Sequence, residues 1–343
     1  MEIKHANRFF MITIIVFLGQ DLLWDFIPPI PDLYVEAARD VLLIIIGILM
    51  ILLTRSGIRS SLGLYRITWH TAVLSIVLML IAQPLSNLVV ELSYFVSPDF
   101  MEYVWEDLMQ ENPVVDLLYI AVLPAIIEEF IFRGVLFQSW RHKSGRSLMY
   151  VAMLVGLEFG LFHMNLTQLS YAFVLGVLMC LLAEASGSIL APVIFHFANN
   201  AVAVIDDMLY TADSPVVPFL PLQYLTLETP YSAALTIVLS MISIPLMIHV
   251  LFRIAEYEGR RESLCRALKR RRTIHHGSRK EEDNMSETAA VQAAHQTIEY
   301  EEVIRQEELQ AVKSTRRIFT PSLVIVTAFE IILTALTTWV LYM

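Results

Sequence analysis

Apolar residues in this chain run in long blocks divided by short polar segments. They follow neither the two-residue alternation of a strand nor the one-sided stripe of a soluble helix. A helix needs about 20 apolar residues to cross a bilayer. Nine stretches come near that length, roughly at 8–27, 38–54, 68–92, 114–138, 147–166, 168–186, 188–207, 231–252 and 319–342. The pattern predicts an all-α polytopic membrane protein of about nine transmembrane helices around a helical-bundle core. Pro84 interrupts the third stretch, and Pro124 is placed to kink the fourth, four residues before Glu128. HMNLTQ makes a tight turn between the fifth and sixth stretches, and EASGS separates the sixth from the seventh.

The polar connections orient the chain, because Lys and Arg concentrate on the cytoplasmic side. Lys4 and Arg8, the loop RSGIRSSLGLYR, the loop RHKSGR and the segment from Arg253 onward are basic, and they alternate with nearly Lys- and Arg-free connections at 97–113 and 206–230. Only Arg39, beside Asp40, breaks the alternation. This places the chain in the cell membrane with its N-terminus cytoplasmic and its C-terminus outside. The start lacks a small-x-small cleavage site, so it reads as an uncleaved first span.

The organisation that follows is 1–113 for the first three helices, 114–204 for a core of helices four to seven, 205–253 for an outer loop and the eighth helix, 254–317 for a charged cytoplasmic insert, and 318–343 for the ninth helix. The insert begins with a basic cluster over 260–280. Such clusters meet anionic lipid headgroups, at about 1 kcal/mol per charge near the surface. Its second half is acidic and rich in helix formers, as expected of a solvated helical hairpin or a partly disordered insert.

Composition agrees. The chain is 56% hydrophobic and 17% charged, where soluble proteins carry about 25% charged residues. The net charge of −10 comes from acidic connections and is no nucleic-acid signature. Cys180 and Cys265 fall in an apolar stretch and a basic segment, so no disulfide framework is implied.

Ionisable groups at membrane depth cost at least about 2.5–3.5 kcal/mol each, so they usually face the protein interior and serve a function. The fourth stretch holds Glu128, Glu129 and Arg133, the fifth Glu158 and His163, and the seventh His196, Asn199 and Asn200. Elsewhere there are Asp21, His70, Gln83, Asn87, Glu184 and Glu330. Glu129 and Arg133 are four residues apart, share a helix face and can pair. Glu128 lies about 100° from Glu129 and about 140° from Arg133 around the helix. It points elsewhere, free to act as a general base. A purely structural reading, in which the charges tie helices together, accounts for the pair and leaves the second glutamate unexplained. At 1.5 Å per residue, Glu128 and His196 lie about 15 and about 12 Å from the cytoplasmic ends of their stretches, and His163 about 24 Å. A recessed helix start or a tilt would absorb that mismatch.

The motifs EEFIFR (128–133), FGLFH (159–163) and HFANN (196–200) occur in this order on separate stretches. Glu-Glu-x-x-x-Arg, Phe-x-x-x-His and His-x-x-x-Asn resemble the CAAX prenyl endopeptidase and bacteriocin-processing (CPBP, or Abi) family of intramembrane proteases. The resemblance covers roughly 114–204. It implies that Glu128 and His163 hold and deprotonate the attacking water, that His196 and Asn200 donate to the oxyanion, and that Glu129 and Arg133 set the geometry. The substrate would be a membrane-associated peptide or protein. Glu128, His163 and His196 also form a plausible zinc set, so a divalent metal stays open as cofactor. Two other function classes compete: a proton-coupled transporter, motivated by buried acids and histidines, and a non-catalytic scaffold or bacteriocin immunity protein.

Overall fold

The computed structural model describes residues 1–23, 32–97, 112–211, 225–269 and 318–341. Among them every regular element is a helix. We number these α1 (Ile3–Leu23), α2 (Asp32–Leu53), α3 (Ile58–Leu62), α4 (Trp69–Ser93), α5 (the run 113–143), α6 (Leu148–Leu161), α7 (Leu166–Ser186), α8 (Leu190–Thr211), α9 (Pro230–Tyr257), α10 (Arg261–Lys269) and α11 (Pro321–Leu341).

The all-helical class is as expected, but the count of nine transmembrane helices is not reproduced. Among the described residues, four helices are long and apolar enough to cross a membrane: α4, α7, α9 and residues 321–338 of α11. Helix α6 has 14 residues, about 21 Å at 1.5 Å per residue, short of a hydrocarbon core of about 30 Å. It stops because Met164 adopts a left-handed conformation (φ 55°) and Asn165 caps the next helix by accepting from the Gln168 N–H at 2.7 Å. The apolar part of α8, Leu190–Asp206, is also short. Of the 254–317 insert, the end of α9 and α10 are described. The acidic half and most of the basic 260–280 cluster lie outside the described residues, as do 98–111 and 212–224 of the acidic connections.

Polarity is distributed as in a protein whose solvent is lipid. Large apolar side chains point outward on the long helices, for instance Met241 (68% exposed) and Ile325 (63%). Ser240, Ser243, Glu330 and Thr334 are buried. Hydroxyls turned inward satisfy their own helices or a neighbour: Ser240 Oγ donates to the carbonyls of Thr236 and Pro84.

Two local devices fix the core. Helices α6 and α7 pack through glycines. A Cβ at Gly156 would stand 2.9 Å from the Phe173 carbonyl, and one at Gly160 2.8 Å from that of Leu169. This is the small-xxx-small logic of membrane helices, where close backbone approach drives association. The start of α4 is held by a carboxylate from the end of α9: Glu258 Oε1 accepts from Thr68 N–H and from the Thr68 and Thr71 hydroxyls at 2.6–3.0 Å. An anion at a helix N-terminus is stabilised by its unpaired N–H groups and dipole.

Helix α5 is long but not regular. Residues 117–122 and 130–137 are wound as π-helix, flanking the α-helical Leu123–Glu129. Pro124 has no N–H to give the Ile120 carbonyl four residues earlier. The kink expected there takes the form of a widened ladder, in which Leu123 N–H reaches back to Leu118 O. Such π segments recur at functional sites.

Candidate active site

Glu128, Glu129 and Arg133 sit where the α-helical turn of α5 passes into its second π segment. Arg133 and Glu129 are fully buried and paired, Nη1 to Oε1 at 2.7 Å. Arg133 also donates from Nη2 to the Gly176 carbonyl at 3.1 Å and lies over the Phe159 ring, 4.4 Å from its centroid. Glu129 Oε1 accepts a second bond, from His196 Nδ1 at 3.0 Å. That bond fixes the imidazole: Nδ1 keeps its proton on Glu129, and Nε2 turns toward Glu128, 3.9 Å from its Oε2. The pairing expected from the four-residue spacing is therefore formed, with His196 as a third member.

His163 is set the same way by a different acceptor. Its Nδ1 donates to the Phe159 carbonyl at 2.8 Å, which leaves Nε2 as its free nitrogen. Phe159 organises the group. Its face carries Arg133, and its ring meets both His163 and His196 edge-on, at centroid distances of 5.1 and 5.9 Å. The aromatic residue four positions before His163 thus serves through both its ring and its carbonyl.

Asn200 occupies the place that Pro124 creates. Its Nδ2 donates to the Ile120 carbonyl at 3.0 Å. Asn199 Nδ2 donates to Asn200 Oδ1 at 3.3 Å, and Gln83 Nε2, from α4, donates to Asn199 Oδ1 at 3.1 Å.

Glu128, His163, His196 and Asn200 line one cavity of about 260 Å³, together with Glu36, Tyr119, Gln168, Tyr171 and Asn199. A water takes about 30 Å³ in the liquid, so the space holds a peptide group and several waters. Glu129 and Arg133 lie behind the wall. Glu158 is not part of the site. It is five residues from His163, about 140° around the helix, and faces α11 instead, where Thr327 Oγ1 donates to it at 2.8 Å and Glu330 stands beside it.

Sequence reasoning missed Glu36, Gln168 and Tyr171 as lining residues. Glu36 stands in the first turn of α2, beside Arg39 (3.6 Å), which also holds Asp40 and covers Phe17. An arginine between two carboxylates at the start of an apolar run was the available signal.

The zinc set fits poorly. Among the described residues no three His, Cys, Asp or Glu side chains are gathered closely enough to hold a metal ion. Glu128, His163 and His196 share a cavity without forming a cage.

Among the described residues the chain is all helical, four of its helices are long and apolar enough to cross a membrane, and a carboxylate–imidazole cavity lies between helices. The comparison with protein families is more specific: residues 110–202 match the family described as type II CAAX prenyl endopeptidase Rce1-like. All seven fixed residues of the three motifs lie inside the matched segment, while Glu36, Gln83 and Glu330 lie outside it. No curated protein and no solved structure matches the chain.

Proposed function

We propose that this protein is an intramembrane endopeptidase that hydrolyses a peptide bond in a membrane-associated substrate. The observation that carries the proposal is the convergence of Glu128, His163, His196 and Asn200 on one cavity, backed by a fully buried Glu129–Arg133 pair. Glu128 takes the proton of a water positioned by His163 Nε2, and the resulting hydroxide attacks the scissile carbonyl. A positioned base of this kind contributes about 10²–10⁴-fold. Asn200, through its second amide hydrogen, and His196, when protonated at Nε2, donate to the oxyanion. Glu128 then hands its proton to the leaving amine. Arg133 neutralises Glu129, and Glu129 holds His196 in place, which keeps the donors preorganised in a water-poor cavity.

The test is reconstitution of the purified protein in liposomes with two probes. One is an internally quenched peptide bearing an S-farnesyl cysteine three residues from its C-terminus. The other is a pool of unprenylated, membrane-anchored peptides read by mass spectrometry. The parent is expected to generate fragments that Glu128→Gln reduces at least about 100-fold. Cleavage retained in full by both Glu128→Gln and His163→Ala refutes the proposal.

We further propose that the Lys- and Arg-rich connections are cytoplasmic, from their charge alone. Alkaline phosphatase fused after Met343 is then active, and the same enzyme fused after Lys143 is inactive. The reverse pattern overturns the orientation.

A further inference from the structure

Asn200 and Asn199 of the cavity wall and Gln83 behind it form a directed chain of amides, and its direction is fixed at one end. Ile120 offers a backbone carbonyl, which can only accept. The end of the Asn200 amide that meets it must therefore be Nδ2, at 3.0 Å. Asn200 Oδ1 is then turned to Asn199, so the Asn199 amide must present its own Nδ2 there, at 3.3 Å. That turns Asn199 Oδ1 toward α4, where Gln83 Nε2 donates to it at 3.1 Å. Each amide fills the carbonyl of the next, from Gln83 to Asn199 to Asn200 to Ile120. Reversing any one of them sets two donors or two acceptors against each other.

Gln83 is 8% exposed and precedes Pro84 in α4, outside the segment that matches the protease family. Its side chain also lies 3.2 Å from Met79 Sδ, which braces it along its own helix. Pro124 begins the chain at the other end, because the Ile120 carbonyl lacks the donor a regular α-helix would give it. With its Oδ1 on Asn199 and one Nδ2 hydrogen on Ile120, Asn200 has a single N–H left, and Asn200 lines the cavity.

We propose that Gln83 is a positioning residue of the active site, acting through Asn199 to fix the amide of Asn200 with its remaining N–H toward the oxyanion. This rests on the protease reading above. Gln83 touches no reacting atom. Its effect falls on the transition state, where the oxyanion forms, and not on the bound substrate.

The experiment is a double-mutant cycle in proteoliposomes, using whichever of the two probes the parent cleaves. Gln83→Met keeps length and volume and removes the donor. It is expected to lower kcat about 10-fold with KM changed less than about 2-fold, the signature of a lost transition-state contact. Asn200→Ala is expected to lower kcat about 100-fold. The double variant should match Asn200→Ala alone, because a chain broken at its end cannot be broken again. Multiplicative losses, or a Gln83→Met enzyme with parental kcat, overturn the inference. An Asn200→Ala enzyme with parental kcat instead sinks the oxyanion assignment itself. An experimental structure of Gln83→Met supplies a readout without substrate. The bond between Asn200 Nδ2 and Ile120 O should be lengthened or lost, and its retention with Asn199 unmoved refutes the relay.

Discussion

Replacing Arg133 by Met should destabilise the protein more than any other single loss of charge in the matched segment, and a second mutation should repair part of it. Arg133 is fully buried and makes three contacts: the Glu129 carboxylate at 2.7 Å, the Gly176 carbonyl at 3.1 Å and the Phe159 face at 4.4 Å. Hydrogen bonds to charged groups contribute about 1.5–3 kcal/mol each, and a desolvated cation over a ring about 2 kcal/mol. These overlap in one side chain and do not add. The dominant cost is what remains: a carboxylate with no accessible surface, left with His196 as its partner. Orphaning one member of a buried ion pair costs about 3–5 kcal/mol. Removing the second charge as well, in Glu129→Gln/Arg133→Met, should recover about 1–3 kcal/mol of that, since buried pairs exchanged for neutral groups are often near neutral. The assay is reversible unfolding in mixed micelles of mild detergent and dodecyl sulfate, followed by tryptophan fluorescence, with Trp140, buried on the same helix as Arg133, as a reporter. A single variant losing less than about 1 kcal/mol, or a double variant no more stable than the single, would refute the argument.

Two further outcomes follow from backbone geometry. Pro124→Ala gives residue 124 an N–H that competes with Asn200 for the Ile120 carbonyl; kcat should fall about 10-fold while the melting temperature holds or rises, since an interior proline costs about 3 kcal/mol against alanine, and an unchanged kcat would count against it. Gly160→Val sets a branched side chain where a Cβ already meets the Leu169 carbonyl at 2.8 Å; overpacking of about 1–3 kcal/mol should appear in the same unfolding assay, and parental stability would contradict the close packing of α6 on α7.

What the sequence conveyed, and what it withheld, follows helix periodicity. The Glu129–Arg133 pair was readable because a four-residue separation brings side chains together in an α-helical turn, and the two stay close although π winding begins at Phe130. The π segments themselves were not readable. Pro124 announced an interruption, but whether the ladder kinks or widens depends on which carbonyls find other donors, and Asn200 supplies one from 80 residues away. The count of nine spans is not reproduced where apolarity and length part company: 147–166 is largely apolar, yet its helix ends at Leu161 because a left-handed residue and an asparagine cap stand together. Glu158, on the same stretch as His163, faces α11 and not the cavity. Gln83 reaches the backing of the cavity from α4, and no local pattern encodes such a meeting.

The contact of α11 with the core has a consequence in time. Thr327 donates to Glu158 across 169 residues of chain, and Asn7 holds the Ile318 carbonyl across 311. At about 5–20 residues per second of synthesis, Glu158 waits roughly 8–34 s on the ribosome's clock before its partner exists. During that interval a carboxyl group destined for burial must be tolerated by lipid, water or an attending insertion factor. Insertion of α11 is thus the step that satisfies Glu158, and a chain stalled before it would present its quality-control machinery with an acid still lacking the Thr327 hydroxyl.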